Sequence, residues 1–294
     1  MKMPKVSLLD WQRRFGTERS CANALFKVRW PNGFICPECG HNQATYIKTR
    51  KLYQCSKCRK QVSITSGTLL HATNLPLVKW FWAFYLVASD KGGISALRLS
   101  KHIKVSWPTA RSMLKKIRTA MAHRDSIHRL LYQLIELDDT YIGGKKPGKR
   151  GRGAEGKKPV LVAVENRGDT AGFVAMKAVE SVSSDEIDSF LRHHIKPGRQ
   201  VRTDAFVSMN IIGEKYQHDK KVTPAQEAST WLPLVHIVIG NMKTFLNGTF
   251  HGVTHNYLQE YLDEFCYRFN RRFWEPELPL RLLNACLSHA PVPC

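Results

Sequence analysis

The sequence predicts a multi-domain α/β protein in which a small metal-binding ribbon and a helix–turn–helix region precede a larger mixed-sheet domain. Three observations carry this prediction: two Cys-x-x-Cys pairs, two helical segments joined by a tight turn, and apolar strand-length runs that lead into acidic residues. The 294 residues suffice for two or three domains with a buried core. We place the domains at residues 1–33 (an N-terminal helical segment), 34–68 (the ribbon), 74–124 (the helix–turn–helix region) and 130–294 (the sheet domain).

The most specific pattern is a set of four cysteines, Cys36, Cys39, Cys55 and Cys58, in two pairs with two residues inside each pair. This spacing lets two knuckles bring four thiolates to one tetrahedral Zn²⁺, and four sulfurs leave no position open for chemistry. The β-branched and aromatic residues 45–53 predict a hairpin between the knuckles. Two disulfides or four unrelated thiols are the alternatives. The remaining cysteines show no metal spacing and are expected to be reduced thiols of a cytoplasmic, nucleoid-associated protein.

Two stretches of the N-terminal half predict helices. Residues 7–30 carry apolar side chains at mostly helical intervals, and a second helical region begins after Pro76. Residues 94–103, a turn at 104–106 and a helix from Trp107 to about His123 then form the helix–turn–helix pattern. Its last helix has an apolar stripe of Ala110, Met113, Leu114 and Ile117, and a polar surface of Thr109, Arg111, Ser112, Lys115, Lys116 and Arg118. Such a basic helix can enter the major groove of DNA, although an ordinary core hairpin of helices has the same pattern.

The formal net charge of +21 is concentrated in residues 48–60, 101–118 and 145–158. Clustered lysine and arginine with interleaved aromatic residues favour a polyphosphate partner, because each neutralised phosphate releases counterions. An anionic membrane is the less favoured alternative, since we find no basic amphipathic anchor and no apolar run of about 20 residues. In the Gly/Lys-rich loop of residues 143–158 we expect Lys145, Lys146, Lys149 and Arg150 to contact DNA.

The sheet domain begins with strand-like segments at residues 134–138, 159–165 and 173–179, followed by a helix at 184–194 and a strand at 200–204. The strand order is left open. The first of these strands ends in Asp138-Asp139 and the last ends in Asp204, at positions where ligands gather in α/β folds. Carboxylate oxygens suit Mg²⁺ or Mn²⁺, and two such ions can promote in-line displacement at phosphorus. The alternative is that Asp138 and Asp204 only cap turns.

Five segments, taken in order with the ribbon and the helix–turn–helix, resemble the IS1595 family of insertion-sequence transposases, specifically its ISXO2-like group. They are Glu136-Leu-Asp-Asp-Thr-Tyr-Ile-Gly-Gly144, the basic loop after it, Arg202-Thr-Asp204, residues 236–252, and residues 261–272. The resemblance covers nearly the whole chain. It implies a ribonuclease-H-like catalytic core of the DDE type that cuts and rejoins DNA at transposon ends with divalent metal.

The resemblance also assigns site residues. Asp138 matches the first catalytic aspartate and Asp204 the second, while Asp139 stands where the family commonly has glutamate and points to the opposite face of the strand. The third position stays open between Asn241, which the resemblance favours, and His236, which shares a helical face with Lys243 if the helix is continuous. If residues 235–239 formed a strand instead, Asn241 would lie at the mouth of a helix.

One further acid is a candidate for the charge missing from the third position. Glu264, paired at i and i+4 with Arg268, could reach the metal site from the last long helix, although an ordinary helix salt bridge explains the pair equally.

The leading functional hypothesis is a transposase that binds terminal inverted repeats of duplex DNA and acts as a homo-oligomer, because joining two ends requires at least two protomers. One alternative is a catalytically impaired, transposase-derived DNA-binding regulator, which the missing third acid favours. Another is a zinc-ribbon nuclease that processes RNA, which would prefer single-stranded or A-form substrates.

Overall fold

The structure, a computed structural model, describes residues 5–127, 133–143, 156–222 and 228–288. It contains two compact units: the first comprises the residues up to Met121 and those from Phe273 onward, and the second comprises Ala122–Arg272. In the described ranges, no helix combines the length and the apolar character that crossing a membrane requires.

The described helices and strands are numbered in chain order. The helices are α1 (Leu8–Phe15), α2 (Glu18–Arg29), α3 (Leu77–Ser89), α4 (Ala96–Ile103), α5 (Trp107–Ser126), α6 (Ser184–His194), α7 (Ala228–Trp231), α8 (Pro233–Phe250), α9 (Leu258–Phe269) and α10 (Leu278–Leu287). The strands are β1 (Ala44–Ile47), β2 (Leu52–Cys55), β3 (Gln61–Ser63), β4 (Leu134–Ile142), β5 (Lys158–Asn166), β6 (Ala171–Ala178), β7 (Gln200–Asp204) and β8 (Gln217–Lys221). Short 3-10 helices cover Val207–Glu214, His255–Tyr257 and Arg272–Glu277.

The core of the first unit is aromatic. The Trp11 ring lies 4.6 Å from Phe15 and 5.3 Å from Tyr85 between centroids, and Phe15 lies 5.1 Å from Phe81. Helix α10 packs against α2 and α3 in this unit, and eight of its ten residues are buried. The structure thus groups the end of the chain with the N-terminal helices, whereas the sequence analysis assigned all of residues 130–294 to one domain. The apolar face of α10 is satisfied by α2 and α3, which no local pattern could indicate.

A distant carboxylate caps the start of α3. This helix follows Pro76 and has no local side-chain cap, so its first N–H groups need an acceptor from elsewhere. Glu18 on α2 accepts hydrogen bonds from the backbone N–H groups of Leu77 (2.9 Å) and Val78 (3.2 Å). These bonds fix α3 against α2, the helix that the ribbon follows in the chain.

The helix–turn–helix segments form where the sequence predicted them. Helix α4 ends at Ile103 and is capped by Lys104, whose φ of 50° makes the tight turn, and the hydroxyl of Ser106 accepts the Thr109 N–H at the start of α5. The predicted stripe of Ala110, Met113, Leu114 and Ile117 is buried. Arg118 was predicted on the polar surface, and this was wrong because it is only 5% exposed. It lies one helical turn after Leu114, at the edge of the apolar stripe.

The second unit is built on a five-stranded mixed sheet in the order β6-β5-β4-β7-β8. Strand β5 is antiparallel to both β4 and β6, while β7 pairs in parallel with β4 and β8. The predicted α/β class with a zinc ribbon and a ribonuclease-H-like mixed sheet is confirmed. Strand β8 was not foreseen, because its sequence Gln-His-Asp-Lys-Lys is polar on both faces, as an exposed edge strand allows.

Helices cover both faces of this sheet. One face, with Leu137, packs on the core around α6, and the other, with Val162 and Val164, packs on α8 and α9. Directly paired residues of neighbouring strands share a face, and Val162 pairs with Asp138 and Val164 with Glu136. Glu136 and Asp138 therefore lie on the α8 face, and Asp139 lies on the α6 face.

Candidate active site and metal centre

The four predicted cysteine ligands converge. Their sulfurs all lie within 4.8 Å of one another, and the Cys36–Cys58 and Cys39–Cys55 pairs are each 3.6 Å apart. Sulfurs at about 2.3 Å from a tetrahedral ion are separated by a little under 4 Å, so the donor set fits a metal such as zinc. In the described ranges this is the one group of three or more metal-ligating side chains placed so closely.

Each knuckle closes with a residue of positive φ. Gly40 after Cys39 has a φ of 70°, and Arg59 after Cys58 has a φ of 61°. The backbone N–H of Cys39 donates to the Cys36 sulfur and lowers the pKa of that thiol, and the N–H of Glu38 adds to the effect, against the opposing influence of burial. A lowered thiol pKa favours the thiolate form that binds metal.

The predicted DNA-contacting residues of α5 lie on its accessible side. Arg111 and Lys115 are exposed, and Thr109 and Lys116 are half-buried. Trp107, at the start of the helix, is 48% exposed and lies 5.6 Å from the Arg111 guanidinium. The four basic residues predicted for the following loop, Lys145, Lys146, Lys149 and Arg150, fall outside the described residues.

Asp138 and Asp204 come from neighbouring parallel strands. Ile135 of β4 pairs with Val201 of β7, and Glu136 pairs with Arg202. Two residues further along each strand, the same register brings Asp138 beside Asp204 on the α8 face. Neighbouring strands are about 4.8 Å apart, so the carboxylates can reach a shared ligand. Asp138 accepts the N–H of Asp139 at 2.8 Å, and Asp204 accepts that of Phe206 at 3.3 Å, which orients both side chains.

Glu136 fixes helix α8 against the sheet, a role that the sequence analysis did not find. Its carboxylate is fully buried and accepts hydrogen bonds from the backbone N–H groups of Leu234 and Val235, both at 2.9 Å, and from the Asn166 side chain at 2.7 Å. Helix α8 begins at Pro233 without a local cap. The carboxylate therefore supplies the cap and sets the height of α8 above β4, as Glu18 does for α3.

This arrangement brings His236 to the site. His236 follows directly after the capped turn, and its Nδ1 lies 3.6 Å from an Asp138 carboxylate oxygen. The imidazole is 36% exposed and Asp138 is 15% exposed, so both remain accessible from one side. His236 is therefore the candidate third residue that the geometry places beside Asp138.

Asn241, the other candidate for the third position, lies on a different side of α8. Because α8 is continuous from Pro233 to Phe250, the alternative in which residues 235–239 form a strand is wrong. Asn241 is exposed and stands about 140° around the helix from His236, whereas Lys243 is two turns from His236 on the same face, about 10 Å along the axis. The structure brings His236 and Lys243 to one side of α8 and turns Asn241 away from them.

Glu264, the candidate for the missing third acid, lies in a buried ion pair on α9. It is fully buried on α9, and Arg268 donates to one of its oxygens through Nε at 3.0 Å and through a terminal nitrogen at 2.8 Å. Helix α9 packs on β6, which is separated from β4 by β5. The ion pair accounts for the buried charge, and α9 lies over the far edge strand rather than over the strand that carries Asp138.

Comparisons with known proteins agree with these features. A family model for ISXO2-like transposase domains matches residues 130–270, and one for transposase zinc-ribbon domains matches residues 16–61. A curated relative, described as an uncharacterized protein in transposable element ISH50 of Halobacterium salinarum, is 27% identical over 221 residues, which cover 69% of this chain and 72% of the relative.

Solved structures of Mos1 are also similar, but distantly. A Mos1 strand transfer complex has a TM-score of 0.31 and 12% identity, with 73% of this chain and 79% of that chain covered. A Mos1 paired-end complex with the left transposon end has a TM-score of 0.26 and 13% identity, with 71% and 78% covered. Similarity at this level supports no inference about the site.

The family matches include the features on which the site depends. The zinc-ribbon match contains all four cysteines, and the transposase-domain match contains Asp138, Asp204 and helix α8. The chain therefore belongs to the IS1595 family of insertion-sequence transposases, in its ISXO2-like group.

Proposed function

We propose that this transposase binds the terminal inverted repeats of its element and catalyses metal-dependent cleavage and strand transfer of DNA. The observation that carries the proposal is the register of β4 and β7, which supports a shared site for Asp138, in the middle of β4, and Asp204, at the end of the parallel strand β7. His236, beside Asp138, supplies a third group.

Two metals have separate roles in this proposal. The four cysteines hold Zn²⁺ and stabilise the ribbon, since a site with four thiolates has no open position. Asp138 and Asp204 hold Mg²⁺ or Mn²⁺, for which carboxylate oxygens are suitable ligands. When bound, these ions supply activation of the attacking oxygen and stabilisation of the leaving oxygen.

The protein's own residues bind and orient the DNA for two successive displacements. Water attacks the phosphodiester at the transposon end and releases a 3′-hydroxyl, which then attacks a phosphodiester of the target DNA. Asp138 and Asp204 would hold the ions beside the reacting phosphate, and His236 holds the Asp138 carboxylate in one orientation. Lys243 binds the DNA backbone as a point charge.

Recognition of the DNA ends belongs to the ribbon and the helix–turn–helix. Helix α5 presents Arg111 and Lys115 on its exposed side, a disposition suited to the major groove. Lys145, Lys146, Lys149 and Arg150 of the loop add backbone contacts. Two protomers hold the two ends of the element, so we expect a homo-oligomer on DNA.

The test is strand cleavage of labelled transposon ends in Mg²⁺ and in Mn²⁺. Asp138→Asn and Asp204→Asn should each lower the rate by about 10³-fold or more, because loss of metal-based charge stabilisation removes several kcal/mol. Asp139→Asn is the matched control: it removes the same charge one residue away, on the α6 face, and should stay within a few-fold of the wild-type rate. Equal losses in all three variants would contradict the assignment.

The same cleavage experiment distinguishes an active transposase from a DNA-binding regulator derived from one. A transposase-derived regulator would bind end DNA specifically and leave it uncut in either metal, with all three variants binding like the wild type. The presence of a histidine instead of an acid beside Asp138 is the observation that favours this second candidate.

A further inference from the structure

We propose that Arg202, held on the face of Trp231 and assisted by Lys221, forms a second phosphate-binding position for the DNA strand beside Asp204. This inference rests on the proposed function, because it places part of the same DNA substrate. It concerns Arg202, Lys221 and Trp231, which the assignment of catalytic residues leaves without a role.

The position of Arg202 follows from strand alternation. Arg202 precedes Asp204 by two residues on β7, so both point to the α8 face with about 7 Å between their Cα atoms. In the parallel pairing with β8, Lys221 stands opposite Asp204. Two cationic side chains thus flank Asp204 on the face that carries Asp138.

Trp231 holds the guanidinium in place. The indole Nε1–H donates to the backbone carbonyl of Thr203 at 2.8 Å, which fixes the ring over β7. The Arg202 guanidinium carbon lies 4.4 Å from the centroid of that ring, and the Lys221 ammonium lies 5.8 Å from it. Stacking on an aromatic face orients a guanidinium without using its hydrogen-bond donors.

The acids next to Arg202 are engaged by other groups. Glu136, its register partner on β4, accepts two helix N–H groups and the Asn166 amide. Asp219, its partner on β8, accepts the Gln200 side chain at 2.5 Å. Within the described ranges, Nε of Arg202 is buried without a hydrogen-bond acceptor, so a donor of this guanidinium remains to be satisfied.

A phosphate is the ligand that fits these groups. It is an anion with several acceptor oxygens, and a guanidinium can bind it through two parallel N–H bonds. A DNA strand that approaches Asp138 and Asp204 meets negative charge, so cations on the same face lower the repulsion. The ligand class is therefore the phosphodiester backbone, with no dependence on base sequence.

The experiment measures the affinity of the full chain for end DNA, with Ca²⁺ in place of Mg²⁺, over a range of salt concentrations. Arg202→Gln should weaken binding about tenfold. It should also reduce the slope of log affinity against log salt by about 0.9, the value for one phosphate contact. Arg192→Gln, on α6 at the opposite face of the sheet, is the matched control and should leave both quantities unchanged.

A double-mutant cycle tests the stacking. Trp231→Leu should weaken binding by a similar factor, and the Arg202→Gln/Trp231→Leu double variant should be no weaker than Arg202→Gln alone. Additive losses would show that the ring does not act through the guanidinium and would overturn the proposal.

Lys221→Gln is a second test variant that should fold normally, because the Lys221 side chain is exposed. It should also lower the salt slope. Wild-type slopes in both Arg202→Gln and Lys221→Gln would overturn the phosphate position and leave the proposed function standing. A wild-type chain that bound end DNA but left it uncut would contradict the proposed catalysis without affecting this binding result.

Discussion

The four-cysteine site and the two-aspartate site are built over different distances in the sequence. All ligands of the first lie within residues 36–58, and the backbone of each knuckle turns its own N–H groups toward Cys36 and Cys55 respectively. The second joins strands that are separated in the chain by β5, β6 and α6, and its histidine arrives on a helix capped from the sheet.

This difference supports the separate roles proposed for the two metals. Four sulfurs that already converge form a closed site, which suits a structural ion. Asp138, Asp204 and His236 do not converge to the same degree within the described residues, which suits an ion that takes further ligands from water and phosphate. Four predictions test the contrast, in decreasing order of expected effect.

Zinc removal should unfold the ribbon and leave the sheet unit folded. The ribbon has a small core around Trp30, Phe34, Cys36 and Cys55, and metal binding supplies about 10 kcal/mol or more of folding free energy in comparable small domains. Zinc content and NMR dispersion, followed during titration with a strong chelator, measure this. EDTA at levels that strip only Mg²⁺ is the control, and a ribbon that stays folded after zinc loss would contradict the prediction.

Glu136→Ala should lower the free energy of unfolding of the second unit by about 3 kcal/mol or more, because it leaves two helix N–H groups and the Asn166 amide without their acceptor. Glu136→Gln keeps an acceptor for the helix but directs an NH₂ group at Asn166. The double variant Glu136→Gln/Asn166→Asp should restore stability, since the carboxylate introduced at position 166 accepts that group. Denaturant unfolding measures the stability of the three variants. A double variant no more stable than Glu136→Gln would contradict the role of Glu136 in joining α8 to Asn166.

His236→Ala should lower the rate of strand cleavage by about 10–100-fold, the usual effect of losing a residue that orients a metal ligand. Asn241→Ala, on the other side of α8, should change it by less than about threefold. The conservative variant His236→Asn should shift the Mn²⁺ concentration needed for half-maximal rate. A larger loss of cleavage rate in Asn241→Ala than in His236→Ala would show that helix geometry misidentifies the third residue.

The smallest effect concerns the two knuckles. No atom lies within 4 Å of a Cβ built at Gly40, so Gly40→Ala should destabilise the ribbon by about 1–2 kcal/mol through its positive φ alone. Arg59 has nearly the same φ, so Arg59→Gly should change stability by less than about 1 kcal/mol, since relief of strain and added chain entropy oppose each other. Thermal unfolding of the zinc-loaded chain measures both, and equal losses would contradict the argument.

Much of the fold could be predicted because its signals are local. The two knuckles, the turn at Lys104 and the buried stripe of α5 each depend on residues within a few turns of one another. The features that the sequence did not indicate have non-local causes. Polar β8 forms because β7 offers it a parallel edge, and α10 is grouped with the first unit because its apolar face packs on α2 and α3.

The candidate site divides in the same way. Asp138 and Asp204 could be selected from the sequence, because each follows a strand-like segment, although β4 does not end at Asp138-Asp139 as expected but continues to Ile142. Glu136 could not be recognised as a cap, since its helix begins 98 residues later and no periodic pattern links them. The same holds for Arg202 and Trp231, whose contact depends on the indole bond to Thr203.

The sequence alone determined the four converging cysteines, helix α5 and the choice of the two aspartates, because short-range spacing and backbone hydrogen bonding specify them. Tertiary structure alone decided that His236, and not Asn241, stands beside Asp138. That choice depends on how high α8 sits above the sheet and how it is rotated. Both are fixed by the buried Glu136 carboxylate and by the apolar face that α8 turns toward β5.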